Sequence, residues 1–252
     1  MKDKHILITG GASGIGLAMV RKFAESGSIV YFIDNNIPEG ERVMHEEMER
    51  GHQVNFWHAD VTDFDAVSHH VKRHIGKLDV LINNAGVSHI GKVENTSMED
   101  FERLFQINVK GMFVCTKAAL PKLLEDGGGS ILNLCSVAAT MGIPDRFAYS
   151  MTKGAALSMT LSIARDYVDK GIRCNCISPG RVHTPFVDDF LEKNYPGQEK
   201  EMFVKLAATQ PIGRMASPEE IAELAYFISS DAGGFVTGAN YNIDGGFLNL
   251  KM

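Results

Sequence analysis

Thr9-Gly10-Gly11-Ala12-Ser13-Gly14-Ile15-Gly16 joins two segments of opposite pattern. Before it, residues 5–9 form a short apolar run. After it, residues 14–26 carry Ile15, Ala18, Met19, Lys22 and Phe23 at the three-and-four spacing of one helix face. A strand that turns on glycines directly into a helix is the start of a βαβ unit, and the alternation continues down the chain. Strands are predicted over 29–33 (closed by Asp34), 54–58, 80–82, 130–134, 173–177 and 241–243. Helices are predicted over 38–50, 64–75, 101–124 as one long helix, 149–169 and 218–229. The strands are short and apolar on both faces, which calls for a parallel sheet covered by helices on both sides. Right-handed crossovers make the doubly wound, Rossmann-type α/β fold the simplest arrangement, with ligands at the carboxyl ends of the strands. One domain over 1–252 is expected. Residues 183–214 stand out as a long connection containing Pro185, Pro196-Gly197 and Pro211, and are expected to form a substrate lid.

The composition narrows the function class. The net charge is −6, so no basic face for nucleic acid or an anionic membrane is expected. Met1-Lys2-Asp3-Lys4 leads straight into a strand without the apolar stretch of a signal peptide, and no window is apolar enough to span a bilayer. A cytoplasmic location is the expectation. Cys115, Cys135, Cys174 and Cys176 include no C-x-x-C pair and read as reduced core thiols. His70 and His74 are four apart on a polar helix with His69 alongside, but no acidic third ligand is suitably spaced, so no metal is expected.

The glycine turn suits a dinucleotide. Glycines let the backbone approach a pyrophosphate, and the helix N-terminus adds free N–H groups and a positive dipole end. The spacing is G-x-x-x-G-x-G, and a glycine turn alone also closes an ordinary strand–helix junction. Asp34 adds information. It ends the second strand 18 residues after Gly16, where a carboxylate accepts hydrogen bonds from the adenine ribose and repels a 2′-phosphate. Asn35 and Asn36 follow it, and no Arg or Lys lies in the glycine turn. NAD is therefore expected over NADP, although an Asp can also merely terminate a strand.

Together with Asn83-Asn84-Ala85-Gly86, Ser136 and Tyr149-Ser150-Met151-Thr152-Lys153, this turn resembles the short-chain dehydrogenase/reductase family over essentially the whole chain, as far as Asp244-Gly245-Gly246. The resemblance implies hydride transfer between nicotinamide and a secondary alcohol or ketone. The chemistry is coherent on its own. Hydride transfer at a carbinol carbon requires a proton to move at the oxygen, and a phenol at its ordinary pKa of about 10 is a poor base near neutrality. Lys153 follows Tyr149 by four residues on the same helix face, and a neighbouring ammonium favours a phenolate. Ser136, just past a strand, can hold the substrate oxygen. Asn108, which by itself would more often be a packed polar residue, matches the family Asn that supports a water relay to the Lys. Other cofactor contacts implied by position are Gly10, Ser13, Gly14, Ile15 and Gly16 at the pyrophosphate, and Asp60-Val61 at adenine. Asn84, Ala85 and Gly86 match the turn beside the ribose. Pro179, Gly180, Val182 and Thr184, with Tyr149 and Lys153, match the contacts at the nicotinamide end. The family also implies a homo-oligomer, commonly a tetramer built through the helices over 101–124 and 149–169.

Three residues hint at the substrate. Arg146 precedes Tyr149 by three, Arg181 follows Pro179-Gly180, and His89 lies just past the Asn-Asn-Ala-Gly turn. A guanidinium grips a carboxylate as a planar fork, although either arginine could instead pair with a surface carboxylate. The placement of Arg146 resembles type-2 3-hydroxybutyrate dehydrogenases. The run Arg181 to Phe186, with Tyr195-Pro196-Gly197, is similar to 2-keto-3-deoxy-L-fuconate dehydrogenases. A hydroxy acid or deoxy-sugar acid is the expected small-molecule substrate. The competing readings are an NADPH-dependent 3-oxoacyl thioester reductase, which Asp34 opposes, and a non-catalytic nucleotide-binding regulator, which the presence of Ser136, Tyr149 and Lys153 opposes. Arg214 reads as structural.

Overall fold

Seven parallel strands, β1 (His5–Thr9), β2 (Ile29–Asp34), β3 (Val54–His58), β4 (Val80–Asn83), β5 (Gly129–Leu134), β6 (Ile172–Pro179) and β7 (Asn240–Ile243), form one sheet in the order β3-β2-β1-β4-β5-β6-β7. The computed structural model describes residues 1–250. The order reverses between β1 and β4, and this switch point opens a crevice at the carboxyl ends of the strands.

Apolar residues on both faces of the central strands explain why the sheet is sandwiched. On one face Ile6, Ile8, Val30 and Phe32 pack with α1 (Gly14–Glu25), α2 (Ile37–Glu49) and α9 (Pro218–Ser229) through Phe23, Val43, Ile221 and Ile228. On the other, Leu7, Ile33, Leu81 and Ile131 pack with α3 (Phe64–His74), α5 (Gly111–Glu125) and α6 (Phe147–Tyr167) through Val67, Val71, Ala119 and Ala164. Phe23 and Phe32 are fully buried, each worth roughly 1.5–3 kcal/mol by transfer from water. All four cysteines are free and buried; burial pushes the Cys115 and Cys174 thiols up to about 12.

The helices differ from expectation in three places. The long helix begins earlier, as α4 (Met98–Phe105) with Ser97 capping the Asp100 N–H, and runs into α5 through a π turn, Gln106–Lys110. The Gly111 N–H there reaches back to the Gln106 carbonyl, which widens the helix at Asn108. The helix predicted from Tyr149 begins one half-turn sooner, at Phe147, and ends at Tyr167 before a short 3-10 turn. Residues 183–214 are not an irregular loop: they hold α7 (Pro185–Asn194) and α8 (Glu199–Ala207). The excursion is tied at its neck by the parallel bridge Val182–Ala216, with the His183 N–H on the Ala216 carbonyl at 2.9 Å and the Ala216 N–H on the Arg181 carbonyl at 2.9 Å. Beyond the neck Arg214 forks onto Glu220, whose side chain also closes the Ser217 capping box of α9, and its carboxyl is held down to about 2. This is the structural role expected of Arg214. Among the described residues no helix is long and apolar enough to cross a membrane.

Candidate active site

A cavity of about 750 Å³ runs along the carboxyl edge of the sheet, from Asp34 and Asp60 at one end to Tyr149 and Arg181 at the other. The glycine turn forms its floor. A Cβ on Gly16 would stand 1.8 Å from the Gly10 carbonyl oxygen, so only glycine lets α1 start this close beneath the turn. Helix α1 also differs from its neighbours at its first turn. Side chains of Asn36, Asp63, Ser97 and Ser217 cap α2, α3, α4 and α9, whereas Ser13 caps no N–H of α1 and no acidic residue lies in its first turn. Its N–H groups and positive dipole end therefore face the cavity at Ser13, Gly14, Ile15 and Gly16.

Asp34 is held at the tip of β2 by two backbone donors, the Ala12 N–H (3.0 Å) and the Asn36 N–H (3.0 Å). Asp60, Val61, Asn84, Ala85 and Gly86 continue the wall, and Pro179, Gly180, Val182 and Thr184 line the opposite end. Asn84 also ties the wall together: its side chain donates to the Thr9 and Gly10 carbonyls, while Thr9 Oγ1 accepts the Asn84 and Ala85 N–H groups. The donor set and the shape fit a dinucleotide, with a carboxylate for ribose hydroxyls at one end and a helix N-terminus midway.

Ser136, Tyr149 and Lys153 converge where β5 ends and α6 begins, and all three line the cavity. Ser136 Oγ accepts the Ala138 N–H (3.2 Å), which leaves its own proton available to an oxygen in the cavity. Lys153 is buried, donates to the Leu134 carbonyl (2.7 Å), and lies 5.7 Å from the centre of the Tyr149 ring. Asn108 sits behind this wall. Its amide brackets Val87, accepting its N–H (2.8 Å) and donating to its carbonyl (2.9 Å), and also reaches Thr152 Oγ1 (3.0 Å).

Arg146 and Arg181 both line the cavity, and neither has a carboxylate within ion-pair distance among the described residues. Arg146 Nη1 donates to the His89 carbonyl (3.1 Å), leaving the Nε–Nη2 edge open. Arg181 Nε donates to Thr209 Oγ1 (2.9 Å), leaving Nη1 and Nη2 open. Burial lowers both guanidinium pKa values from the ordinary range; Tyr149 and Asp145 partly offset this at Arg146, and the charge of Arg146 adds to it at Arg181. Two like charges thus share one pocket without a counter-ion. His89 does not join them. Its ring turns away, with Nδ1 3.7 Å from Asp100, and only its carbonyl serves the site, through Arg146. Sequence proximity to the glycine-ended turn placed it at the mouth; the course of the loop takes its side chain elsewhere. His70 lies on Trp57 (5.1 Å between centres) beside His69 and His74. Among the described residues no three His, Cys, Asp or Glu side chains converge to hold a metal ion.

A family model described as enoyl-(acyl carrier protein) reductase matches residues 10–248. The chain belongs to the short-chain dehydrogenase/reductase family. As a short-chain dehydrogenase/reductase it is an oxidoreductase that binds a nicotinamide cofactor. An uncharacterized oxidoreductase of Thermotoga maritima is 38% identical over 97% of this chain and 97% of its own. A 2-keto-3-deoxy-L-fuconate dehydrogenase of Xanthomonas campestris is 37% identical over 99% of this chain and 81% of its own. The L-sorbose reductase of Gluconobacter frateurii, solved with NADPH and L-sorbose, superposes with a TM-score of 0.94 at 27% identity, covering 100% of this chain and 98% of that one.

Several site residues of this short-chain dehydrogenase/reductase had no signal in the sequence. Ile143, Leu206 and Met215, joined by Phe186 from the run noted above, give the Tyr149 end an apolar wall, the last three lying between the bridged residues Val182 and Ala216. Gln210 is buried, and its Oε1 accepts the Arg181 N–H (3.3 Å). Its partner is 29 residues away, beyond any periodicity.

Proposed function

We propose that the protein is an NAD-dependent dehydrogenase whose substrate is a secondary alcohol, or the matching ketone, that carries a carboxylate: a hydroxy acid or a deoxy-sugar acid. The observation that carries this reading is the pair Arg146 and Arg181, which line the cavity beside Tyr149 with open N–H edges and no carboxylate partner. A substrate carboxylate supplies the missing counter-charge and fits the planar fork of each guanidinium. Nicotinamide, when bound, supplies the hydride acceptor or donor. In the oxidation direction Tyr149 acts as the base in its phenolate form, with the Lys153 ammonium as counter-charge: Oη takes the proton of the carbinol and becomes the phenol, while Ser136 Oγ donates to the same oxygen. Asn108 keeps Val87 and the Thr152 turn of α6 in register, and by resemblance supports a water that returns the proton. Exclusion of water falls to the segment 183–214, which acts as the lid.

Asp34 supports NAD. Its two backbone bonds fix a carboxylate where a 2′-phosphate would sit, and the cavity-lining residues at that end, Asn35, Ala59, Asp60 and Val61, include no Arg or Lys. NADPH in the L-sorbose reductase structure is the observation that favours the second reading, an NADPH-dependent carbonyl reductase. A homotetramer is part of the proposal. Phe105, Phe113, Leu161 and Val168 are exposed on or just beyond α4, α5 and α6, and burying them against a second copy suits a two-fold contact. Sedimentation at four times the monomer mass is expected.

The test is an absorbance screen for reduced nicotinamide, with NAD and NADP each run against hydroxy acids, deoxy-sugar acids and neutral secondary alcohols. Turnover of acids with NAD, with a KM raised about tenfold or more in Arg146→Ala and Arg181→Ala, is expected from the loss of a charge-assisted hydrogen bond. Unchanged KM values in both variants would return the arginines to structural roles.

A further inference from the structure

We propose that Gly91 and His89 are positioning residues for substrate selectivity, acting by aiming the Arg146 guanidinium. This rests on the reading of the substrate as a carboxylate. Two segments distant in sequence meet here: residues 89–91, in the loop after β4, and residues 145–147, entering α6. The Gly91 N–H donates to the Asp145 carbonyl (2.9 Å), the Phe147 N–H donates to the Gly91 carbonyl (3.1 Å), and Arg146 Nη1 donates to the His89 carbonyl (3.1 Å). Gly91 and Arg146 form a parallel bridge. Asp145 adopts φ +58°, a left-handed conformation that is uncommon outside glycine, immediately before the arginine. The backbone is thus bent into this clasp at a cost, and the clasp sets both the main chain of Arg146 and one of its five N–H groups. The open Nε–Nη2 edge is what remains to meet a ligand.

The other side of the clasp leaves no slack. A Cβ on Gly91 would lie 2.6 Å from His89 Nε2, 3.0 Å from Thr96 Oγ1 and 3.1 Å from Asn95 Oδ1. A methyl there meets the edge of the His89 ring and the Thr96 and Asn95 side chains, and whatever these do not yield Gly91 itself must give, through the two backbone bonds that hold residues 145–147. The near end of the segment cannot absorb the shift, because Val87 is pinned by both atoms of the Asn108 amide. Gly91 touches nothing in the cavity, so its influence on the substrate runs through Arg146.

The experiment is a double-mutant cycle on the full-length protein with Gly91→Ala, Arg146→Ala and the pair. The probe is acetoacetate, with its Kd measured by thermal shift in the presence of NAD. KM and kcat for 3-hydroxybutyrate and the Kd for NAD are measured alongside. Arg146→Ala is expected to weaken acetoacetate at least about tenfold, and Gly91→Ala about tenfold, the scale of one charge-assisted hydrogen bond. Gly91→Ala in the Arg146→Ala background is expected to add less than about twofold, with the effect on 3-hydroxybutyrate confined to KM. If Arg146→Ala leaves acetoacetate binding unchanged, the carboxylate reading itself falls and this inference with it. If Arg146→Ala weakens binding but Gly91→Ala does not, or weakens it equally in both backgrounds, the carboxylate reading stands and the positioning role is overturned. Should Gly91→Ala fail to fold, Asp145→Gly, which loosens the left-handed residue immediately before Arg146, runs through the same cycle with the same expectations.

Discussion

Replacing Asp34 by Asn keeps the size and removes the charge, which isolates what the carboxylate does for cofactor choice. The carboxylate oxygens each accept one backbone N–H, from Ala12 and Asn36, and the remaining lone pairs are available to ribose hydroxyls. A hydrogen bond to a charged group contributes about 1.5–3 kcal/mol, so an amide in its place loses roughly half of that, close to tenfold in kcat/KM for NAD. The repulsion of a 2′-phosphate is larger before screening. Two unit charges about 5 Å apart at an effective dielectric of about 20 repel by roughly 3 kcal/mol. Asp34 is only half-buried, and halving the figure for solvent leaves about 1.5 kcal/mol, another factor of ten. The ratio of NAD to NADP kcat/KM is therefore expected to fall about a hundredfold in Asp34→Asn. One oxygen becomes an NH₂ group facing a backbone N–H, so Tm should fall by about 2–4 °C for each kcal/mol lost. Steady-state kinetics with both cofactors at fixed ionic strength read the ratio. A wild-type protein that uses NADP as well as NAD, or a ratio that does not move in Asp34→Asn, would refute the electrostatic reasoning.

Three other perturbations have defined outcomes. Tyr149→Phe is expected to lower kcat by about 10²–10⁴, the scale of general acid–base catalysis, while cofactor binding followed by fluorescence changes little. Glu47 is fully buried while its partners Arg21, Arg50 and His52 reach solvent, so Glu47→Ala, which removes these bonds without stranding a buried charge, should cost about 1–3 kcal/mol in chemical denaturation without changing turnover per folded molecule, since α2 lies away from Tyr149. Burial first, and then the charges of His74 and His69, lower the His70 pKa from its ordinary 6.5. The unfolded chain therefore binds that proton more readily, and the stability from neutral His70 is complete above pH about 6.5 and lost as the pH falls through the folded value. Melting curves between pH 8 and 5 should be flatter in His70→Gln; an unaltered pH dependence would remove His70 as a contributor.

The parallel sheet was legible because the central strands are apolar on both faces, as Ile6, Leu7 and Ile8 are, and because Ser136 follows a strand end and Tyr149 lies in the first turn of a helix. Other features depend on contacts that leave no local pattern. The π turn at Asn108 is a change of hydrogen-bond partner by one residue within a sequence that is helical throughout. Helices α7 and α8 are short, interrupted by Tyr195-Pro196-Gly197, and carry mixed polar faces, so their periodicity was lost in the turn signals between them. His89 was misplaced because distance along the chain says nothing of where a loop side chain turns, and here it turns to Asp100. Gln210 and Gly91 matter through partners 29 and 54–56 residues away, which only the fold brings near.

The neck at Val182 and Ala216 has an evolutionary consequence. Chain leaves and re-enters the sheet layer across one backbone bridge, and the two helices between, α7 and α8, can change length or composition without altering strand order. Closing a longer loop costs only about 0.6 kcal/mol per doubling of its length. Phe186, Leu206 and Met215, which wall the catalytic end, all lie inside that interval, whereas Ser136, Tyr149 and Lys153 lie outside it. The chain is thereby divided into a fixed frame that carries Ser136, Tyr149 and Lys153 and an insert that walls the cavity, and grafting a relative's insert between 182 and 216 is a direct route to changing what the cavity accepts.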